Sequence, residues 1–232
     1  LGILGGGYIG VEFASMFANF GSKVTIFEAA PLFLPREDRD IADNIATILR
    51  EQDVDIILNA HVERISHDEN KVQVHTGHAQ LAVNALLIAS GRQPATASLK
   101  PGNAGVAVNE RGAIVVDKQL HTTADNIWAM GDVTGGLQFT YISLDDFRIV
   151  RDELLGEGKR STDDRKNVPY SVFMTPPLSR VGITEEQARE SGADIQVATL
   201  PVTAIPRARV MNDTRGVLKA IVDNKTQRIL GA

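Results

Sequence analysis

A run of glycines directly behind a short apolar segment constrains the fold of this chain most strongly. The segment GGGYIG occupies residues 5–10 and follows the apolar residues 1–4, and the next apolar run, at residues 24–27, is followed by Glu28. This spacing predicts a strand, a tight turn, a helix and a second strand. Glu28 lies 23 residues after Gly5, where an acidic side chain can accept hydrogen bonds from the ribose of a dinucleotide.

The glycines have separate expected roles in this turn. Gly5 lets the chain turn tightly off the strand, Gly7 lets the backbone approach a pyrophosphate, and Gly10 lets the helix lie close on the sheet. The helix N-terminus, which includes Tyr8 and Ile9, then offers N–H groups and a positive partial charge to the phosphates. The alternative is a tight strand-to-helix turn that binds no ligand.

Glu28 also favours NADH over NADPH. A 2′-phosphate would be repelled by this carboxylate, and no Arg or Lys occurs between Glu28 and Arg36 to compensate. The sequence therefore predicts NADH as the preferred nicotinamide cofactor.

Composition narrows the classes of protein further. With 232 residues and a net charge of −5, the chain gives no reason to expect a nucleic acid or an anionic membrane as partner. No apolar stretch approaches the ~20 residues of a spanning helix, so we expect a soluble, cytoplasmic protein. The chain contains no cysteine, which excludes a thiol nucleophile within it. It begins inside a predicted strand and ends where another starts, so we expect an internal piece of a longer polypeptide.

The remainder of the first half predicts an α/β fold. A helical pattern from Asp38 to Gln52 precedes a strand at residues 54–58, and the apolar run at residues 86–89 predicts a strand covered on both faces. Between them, short alternating runs predict an antiparallel meander laid on the parallel sheet. These runs lie at residues 62–65, 72–74 and 81–83.

The second half is predicted in less regular pieces. A Gly-, Asn- and Pro-rich crossing ends near Asn109, and apolar runs predict strands at residues 114–117 and 126–129. A helix is expected from about Phe139 to Leu155, followed by a solvated linker at residues 157–167. A new unit is expected to begin at residue 170. In it, Thr184 predicts the N-cap of a short helix.

Four motifs, in order, resemble the pyridine nucleotide-disulfide oxidoreductases. They are GGGYIG at residues 5–10, SGRQP at residues 90–94, TADNIWAMGDV at residues 123–133, and the segment from VPYSVF to VGITEE at residues 168–186. This is the flavoprotein family of dihydrolipoamide dehydrogenase, glutathione reductase and mercuric reductase, and the resemblance covers essentially the whole chain.

The resemblance implies three domains. Residues 1–94 would form a Rossmann-like NAD(P)-binding domain with its meander, residues 95–165 the C-terminal, returning part of an FAD-binding domain, and residues 166–232 the N-terminal part of an α+β dimerisation domain. The family's redox-active cysteine pair and its His–Glu pair would lie outside the chain. No catalytic residue is therefore expected within it, the fragment alone should be inactive, and the full-length protein should be a homodimer.

The same resemblance places several residues near the nicotinamide. Tyr8 matches the residue that lies over the flavin and moves aside for nicotinamide, although a surface aromatic at the start of a helix is the alternative. Glu12 matches a glutamate near the nicotinamide carboxamide, with an exposed helix residue as the alternative. Gly91 and Arg92 match the turn at the mouth of the NAD site, where an arginine with a purely structural role would look the same.

Other positions match the flavin site. Asp132, after Gly131, matches the aspartate that binds the ribityl chain of FAD, and an ordinary turn residue is its alternative. Phe139 and Thr140 begin a helix whose N–H groups would point at the pyrimidine edge of the flavin. That helix usually carries small residues in this family, whereas residues 143–148 here read SLDDFR, which suggests an atypical subgroup.

The sequence thus predicts an NAD(P)H:acceptor oxidoreductase. Hydride would pass from NADH to FAD and on, through the cysteine pair, to a disulfide, a metal ion or another oxidant, in the service of cell redox homeostasis. A redox sensor that binds NADH and a nicotinamide dehydrogenase without flavin are the alternatives. His75 and His78 could suggest a metal site, but solvated hairpin residues explain them better, and no metal site is expected.

Overall fold

The chain folds into two compact units. The structure, a computed structural model, describes residues 1–68, 70–77 and 80–232. One unit combines residues 1–91 with residues 169–232, and the other consists of residues 92–168.

A parallel sheet forms the base of the first unit. Its strands are β1 (Gly2–Leu4), β2 (Val24–Phe27), β3 (Val54–Ile57) and β7 (Leu86–Ile88). They lie in the order β3-β2-β1-β7, and all neighbouring pairs are parallel. Helix α1 (Tyr8–Asn19) joins β1 to β2, and helix α2 (Arg39–Glu51) joins β2 to β3. The predicted α/β arrangement is confirmed.

The two faces of this sheet enter different cores because successive side chains on a strand point to opposite faces. Ile3 and Ile26 pack with α1 and α2 in one core. Leu4 and Phe27 pack in the other core with the meander, in which Val74 is fully buried. The meander has the order β4-β5-β6 and is antiparallel. Its strands are β4 (Val62–Asp68), β5 (Lys71–Thr76) and β6 (Gln80–Val83). The prediction of a meander on the parallel sheet is confirmed.

The remaining strands of the first unit pair in antiparallel fashion. Residues 170–180 form a hairpin, and its residues Val172 and Met174 pack into the core that contains α1 and α2. The remaining elements are β8 (Tyr170–Val172), β9 (Leu178–Arg180), α4 (Glu185–Glu190), β10 (Ile195–Pro201), α5 (Pro206–Val210), β11 (Val217–Asp223) and β12 (Ile229–Gly231). Thr184 caps α4 as predicted, because its hydroxyl accepts the Gln187 N–H at 3.0 Å while the Gln187 side chain accepts the Thr184 N–H.

The second unit is built around one helix, α3 (Thr140–Leu155). Ile149 and Val150 of this helix pack against Leu120, Val116 and Trp128. Most of the remaining chain is irregular, with short 3-10 turns. These turns are Ala97–Leu99, Pro101–Ala104, Gly131–Thr134 and Thr162–Asp164.

The strands predicted at residues 114–117 and 126–129 are wrong. Only the single bridges Val108–Ile114 and His121–Trp128 form there. The Asp117 carboxylate accepts two backbone N–H groups of the following turn, and Leu120 has a positive φ of 68°. A local turn that satisfies its own amides cannot extend as a strand.

One further prediction, on the exposure of β7, is corrected. Ile88, in the apolar run predicted to be covered on both faces, is 65% exposed because this last residue of β7 packs in neither of the cores that contain Leu86 and Leu87. The predicted solvated linker at residues 157–167 has no buried residue and is mostly exposed, as expected, but it is anchored by Arg165, whose side chain is 16% exposed and pairs with Asp145 and Asp146. None of the helices in the described ranges combines the length and apolarity that crossing a bilayer requires.

The second core gives a first prediction. Phe27 is fully buried between the sheet and the meander, whereas Phe20, just after α1, is 73% exposed. We expect Phe27→Ala to lower the free energy of unfolding by about 3–5 kcal/mol, because it leaves a cavity. Phe20→Ala should change it by less than about 0.5 kcal/mol. Urea unfolding followed by circular dichroism measures both, and equal midpoints for the two variants would contradict the packing described here.

Candidate functional site

The first turn of the chain brings three backbone segments into close contact. Gly5 has a φ of +105°, and a Cβ there would lie 2.5 Å from the Ala89 carbonyl oxygen. A Cβ at Gly10 would lie 2.0 Å from the carbonyl oxygen of Gly5. A Cβ at Gly7, by contrast, would meet no atom within 4 Å. The turn is therefore closed toward the sheet and open in front of the helix.

The N-terminus of α1 can accept an anion. The first hydrogen bond of the helix runs from the Val11 N–H to the Gly7 carbonyl at 3.0 Å, so the N–H groups of Tyr8, Ile9 and Gly10 precede the intrahelical bonds. The first turn carries no acidic side chain. These amides and the open space at Gly7 fit the pyrophosphate of a dinucleotide.

Glu28 is held in place beside this turn by two amides. Its Oε2 accepts the Gly6 N–H at 2.7 Å, and its Oε1 accepts the Ala30 N–H at 2.7 Å. Each carboxylate oxygen has a further acceptor site, so the side chain can also accept from ribose hydroxyls. Gly6 and Ala30 were not among the predicted site residues. The only signal for Gly6 was the extra glycine between Gly5 and Gly7, where a Cβ would lie 3.0 Å from the Glu28 Oε2.

Tyr8 is tied down by its hydroxyl group. It donates to Oε1 of Glu37, and the hydroxyl of Tyr170 donates to the same oxygen. The two hydroxyls are 3.1 Å apart. Arg180 completes the cluster, with Nη1 at 3.1 Å from the Glu37 Oε2 and its guanidinium 5.1 Å from the centre of the Tyr170 ring. The Glu37 side chain is 1% exposed, so a buried carboxylate joins the two tyrosines.

Both tyrosines of this cluster are held in the protonated form. Burial and the hydrogen bond to Glu37 raise the pKa of Tyr8 to about 12. Burial, the bond to Glu37 and the bond to Tyr8 also raise the pKa of Tyr170. Glu37 and Arg180 were not predicted as site residues, since their partners are distant in sequence. The expected place of Tyr8 over a flavin stays a prediction.

Glu12 lies one helical turn beyond Tyr8 and binds backbone. Its Oε1 accepts the N–H of Phe173 at 2.9 Å, and next to it the Ser15 hydroxyl accepts the N–H of Thr175 at 3.0 Å. Glu12 therefore attaches α1 to the hairpin. Its proposed proximity to nicotinamide is a separate matter and stays a prediction.

In the second unit, Arg92 and Asp132 form an ion pair. The distance from Arg92 Nη1 to Asp132 Oδ2 is 2.7 Å, and Nη2 donates to the Gln138 carbonyl at 3.4 Å. Both side chains are 46% exposed. Gly131, with a φ of +76°, begins the 3-10 turn that carries Asp132, and Gly91, with a φ of +121°, ends the first segment of the other unit. The sequence had placed Arg92 and Asp132 in different sites.

The start of α3 follows this turn. Phe139 is its N-cap residue in extended conformation, and Thr140 is its first helical residue, as predicted. The Phe139 ring stacks on Tyr141 with ring centres 5.4 Å apart. The first turn of α3 has no acidic residue, so its positive end is not offset by a carboxylate of its own.

The residues that could bind a metal ion are scattered over the described part of the chain. Its His, Asp and Glu residues include no group of three or more that could hold an ion. His75 instead lies 2.9 Å from the hydroxyl of Ser66. His78 lies outside the described residues, so the interpretation that involves both histidines stays untested.

A parallel α/β sheet with a glycine turn at a helix N-terminus and an acid after the second strand is typical of nucleotide-dependent oxidoreductases. Residues 1–146 match the family model described as pyridine nucleotide-disulphide oxidoreductase. Residues 168–232 match the model for the dimerisation domain of the same family. The chain belongs to the pyridine nucleotide-disulfide oxidoreductases, so the predicted family and fold class are confirmed. The family depends on flavin and pyridine nucleotide.

Relatives of known name agree with this assignment. The chain is 92% identical over 232 residues to a probable pyridine nucleotide-disulfide oxidoreductase, RclA, from Escherichia coli K12, covering 100% of this chain and 53% of that protein. It is 38% identical to a mercuric reductase from Bacillus cereus, covering 100% of this chain and 37% of that protein. A solved structure of the Cu(II) complex of the HOCl-induced flavoprotein disulfide reductase RclA from E. coli has 92% identity and a TM-score of 0.96, covering 99% of this chain and 52% of that one. The chain therefore spans about half the length, or less, of these relatives.

The tyrosine cluster gives a second prediction. The chain has three tyrosines, and in a Tyr141→Phe variant only Tyr8 and Tyr170 remain. We expect the folded variant to form little tyrosinate at pH 11, while the urea-unfolded variant titrates near pH ~10. Since the folded pKa of Tyr8 is raised to about 12, its contribution to stability is complete below pH ~10 and is lost as the pH rises from about 10 to about 12.

Absorbance at 295 nm measures the tyrosinate. Adding Glu37→Gln to the Tyr141→Phe variant should shift the first midpoint of tyrosinate formation in the folded protein toward lower pH. The carboxylate that holds the hydroxyl protons of the two tyrosines is then gone. Superimposable titrations of the folded and unfolded protein would rule out the cluster.

Proposed function

We propose that the chain is the nucleotide-binding part of an NADH-dependent flavoprotein oxidoreductase, a cytoplasmic homodimer that serves cell redox homeostasis. Residues 1–94 would bind NADH, residues 95–165 would complete an FAD domain, and residues 166–232 would begin the dimerisation domain. One observation carries the proposal: the Glu28 carboxylate is fixed by the amides of Gly6 and Ala30 beside the open N-terminus of α1.

The residues of the first turn support NADH over NADPH. A 2′-phosphate would enter beside a carboxylate whose position is set by two hydrogen bonds of 2.7 Å. The guanidinium of Arg39, which follows in sequence, is occupied by the carbonyl oxygens of Phe33, Leu34 and Glu37 at 2.6–2.9 Å. The Arg39 guanidinium would therefore have to give up these bonds in order to pair with a 2′-phosphate.

The residues of the chain would bind and orient rather than react. The amides of Gly7 to Gly10 would hold the pyrophosphate, Glu28 the adenosine ribose, and Tyr8 and Glu12 would border the nicotinamide ring. Gly91 and Arg92 would border the NAD site. Gly131 and Asp132 would hold the ribityl chain of FAD, with the start of α3 at Phe139 and Thr140 turned to the flavin ring.

FAD, when bound, would supply the chemistry of accepting hydride and passing an electron pair onward. Because the chain has no cysteine, the thiols that receive these electrons would lie outside it.

Among the acceptors that the sequence leaves open, we propose a metal ion first. Mercuric reductases are 38% identical or less to this chain, and the related RclA has been solved as a Cu(II) complex. Mercury, and the Cu(I) that one-electron reduction of Cu(II) yields, are soft metal ions, which cysteine thiolates bind well. We therefore place a metal ion such as Cu(II) ahead of a disulfide among acceptors of the full-length protein.

The full-length protein provides the main test of this function. We expect it to purify with the visible absorption bands of flavin, to lose them on anaerobic addition of NADH, and to turn over NADH with Cu(II) or an artificial acceptor. A protein without flavin bands that still oxidises NADH would support the non-flavin dehydrogenase. Flavin reduced by NADH without any acceptor turnover would support the redox sensor.

Cofactor preference can be tested at Glu28. We expect Glu28→Ala to reduce the ratio of kcat/KM for NADH to that for NADPH by about tenfold, equivalent to about 1.4 kcal/mol, because the repelling charge is removed. Glu28→Gln keeps the size of the side chain and should give a similar loss of preference. Glu51→Gln, at the exposed end of α2, is the control. An unchanged ratio in both Glu28 variants would remove this residue from cofactor selection.

A further inference from the structure

A buried carboxylate lies in the middle of α3, where an apolar residue would be expected. Asp146 is 2% exposed, and the other buried residues of this helix are Ile142, Ile149 and Val150. Burying a carboxylate is costly unless it is paired and hydrogen-bonded. The contacts of Asp146 therefore indicate what it holds.

Asp146 contacts one backbone amide and one arginine. Its Oδ2 accepts the N–H of Gly131 at 2.7 Å, a bond that is itself buried, and its Oδ1 pairs with Nη2 of Arg165. Arg165 also donates from Nε to Oδ2 of the neighbouring Asp145 at 2.7 Å. The charge of Asp146 is thus balanced, and both of its oxygens have partners.

The amide held by Asp146 belongs to the residue directly before Asp132. Gly131 has a φ of +76°, and a Cβ there would lie 2.9 Å from the hydroxyl oxygen of Ser143. The turn Gly131–Thr134 is therefore pressed against α3 and fixed there by Asp146. Asp132 projects from the same turn with a side chain that is 46% exposed and is paired with Arg92.

We propose that Asp146, supported by Arg165, is a positioning residue for flavin binding. It fixes the amide of Gly131, and thereby the direction in which the Asp132 carboxylate meets the ribityl hydroxyls of FAD. The inference rests on the proposed function, in which Asp132 binds FAD. It also gives a reason for the unusual segment at residues 143–148: Ser143 keeps the small side chain that the close turn needs, while Asp146 supplies the acceptor.

The experiment compares two Asp→Asn variants on the same helix of the full-length protein. In D146N one of the two carboxylate oxygens becomes an NH2 group, so either the N–H of Gly131 or the guanidinium of Arg165 meets a donor in place of an acceptor. D152N is the control. In the parent protein the Asp152 carboxylate also accepts backbone N–H groups, those of Lys159 and Arg160 at 2.8 and 3.0 Å, but it does so at the C-terminal end of α3. Flavin is removed from each protein, and FAD rebinding is followed by the quenching of flavin fluorescence.

We expect D146N to raise the dissociation constant for FAD about tenfold and D152N to change it less than about threefold. A double-mutant cycle with D132N separates positioning from a general effect on the fold. If Asp146 acts through Asp132, D146N should weaken FAD binding no more than about twofold in the D132N background. A purely structural effect would give the same factor in both backgrounds.

The outcomes separate the two proposals. A parent protein that rebinds no FAD overturns the proposed function and this inference together. A parent that binds FAD, with D146N equal to D152N or with the same loss in both backgrounds, overturns the inference alone. If D146N melts below the assay temperature, R165K replaces it in the same cycle. This variant keeps the charge but loses the forked guanidinium that binds Asp145 and Asp146. Its dissociation constants for FAD in the two backgrounds are then judged by the criteria given for D146N.

Discussion

The close approach of backbone to backbone at the first turn is the constraint on which the rest of this fold depends. A Cβ at Gly10 would lie 2.0 Å from a carbonyl oxygen of the same turn, and one at Gly5 would lie 2.5 Å from the end of β7. Only glycine allows α1 to lie this near the sheet. That position aligns the first amides of the helix with open space, and it leaves the Gly6 amide 2.7 Å from Glu28. The glycines of this turn thus allow the helix, the sheet and the Glu28 carboxylate to lie close together, because they have no Cβ.

The parts of the fold that follow from local pattern were predictable from sequence. The glycine spacing, the helical period of α2 and the alternation in the meander each depend on neighbours within a few residues, and the structure contains all of these elements. The strands expected at residues 114–117 and 126–129 failed although the competing interaction is also local. The Asp117 carboxylate accepts the amides of Gln119 and His121 and forms a turn, and the alternation of apolar residues does not reveal which of the two structures is preferred.

The candidate site was predictable in its glycines and acids but not in the network behind them. Glu37 and Tyr170 are 133 residues apart, and Gly131 and Asp146 are 15 residues apart on different elements. Each buried carboxylate has an arginine partner, Arg180 for Glu37 and Arg165 for Asp146. Pairs of this kind add little net stability but fix geometry, since either partner alone would be costly to bury. Sequence shows the charges and only the fold shows which of them meet.

The attachment of the hairpin to α1 bears on how modular this family can be. The hairpin lies in the segment that matches the dimerisation model, while α1 lies in the segment that matches the oxidoreductase model. Glu12 and Ser15 of the helix accept amides of Phe173 and Thr175, and Arg180 supplies the counter-charge of Glu37. A gene cut between the two matched segments would remove the cation that pairs with Glu37 and the two amides that Glu12 and Ser15 accept. A chimera that joins these two segments from different relatives would therefore have to preserve both sets of contacts.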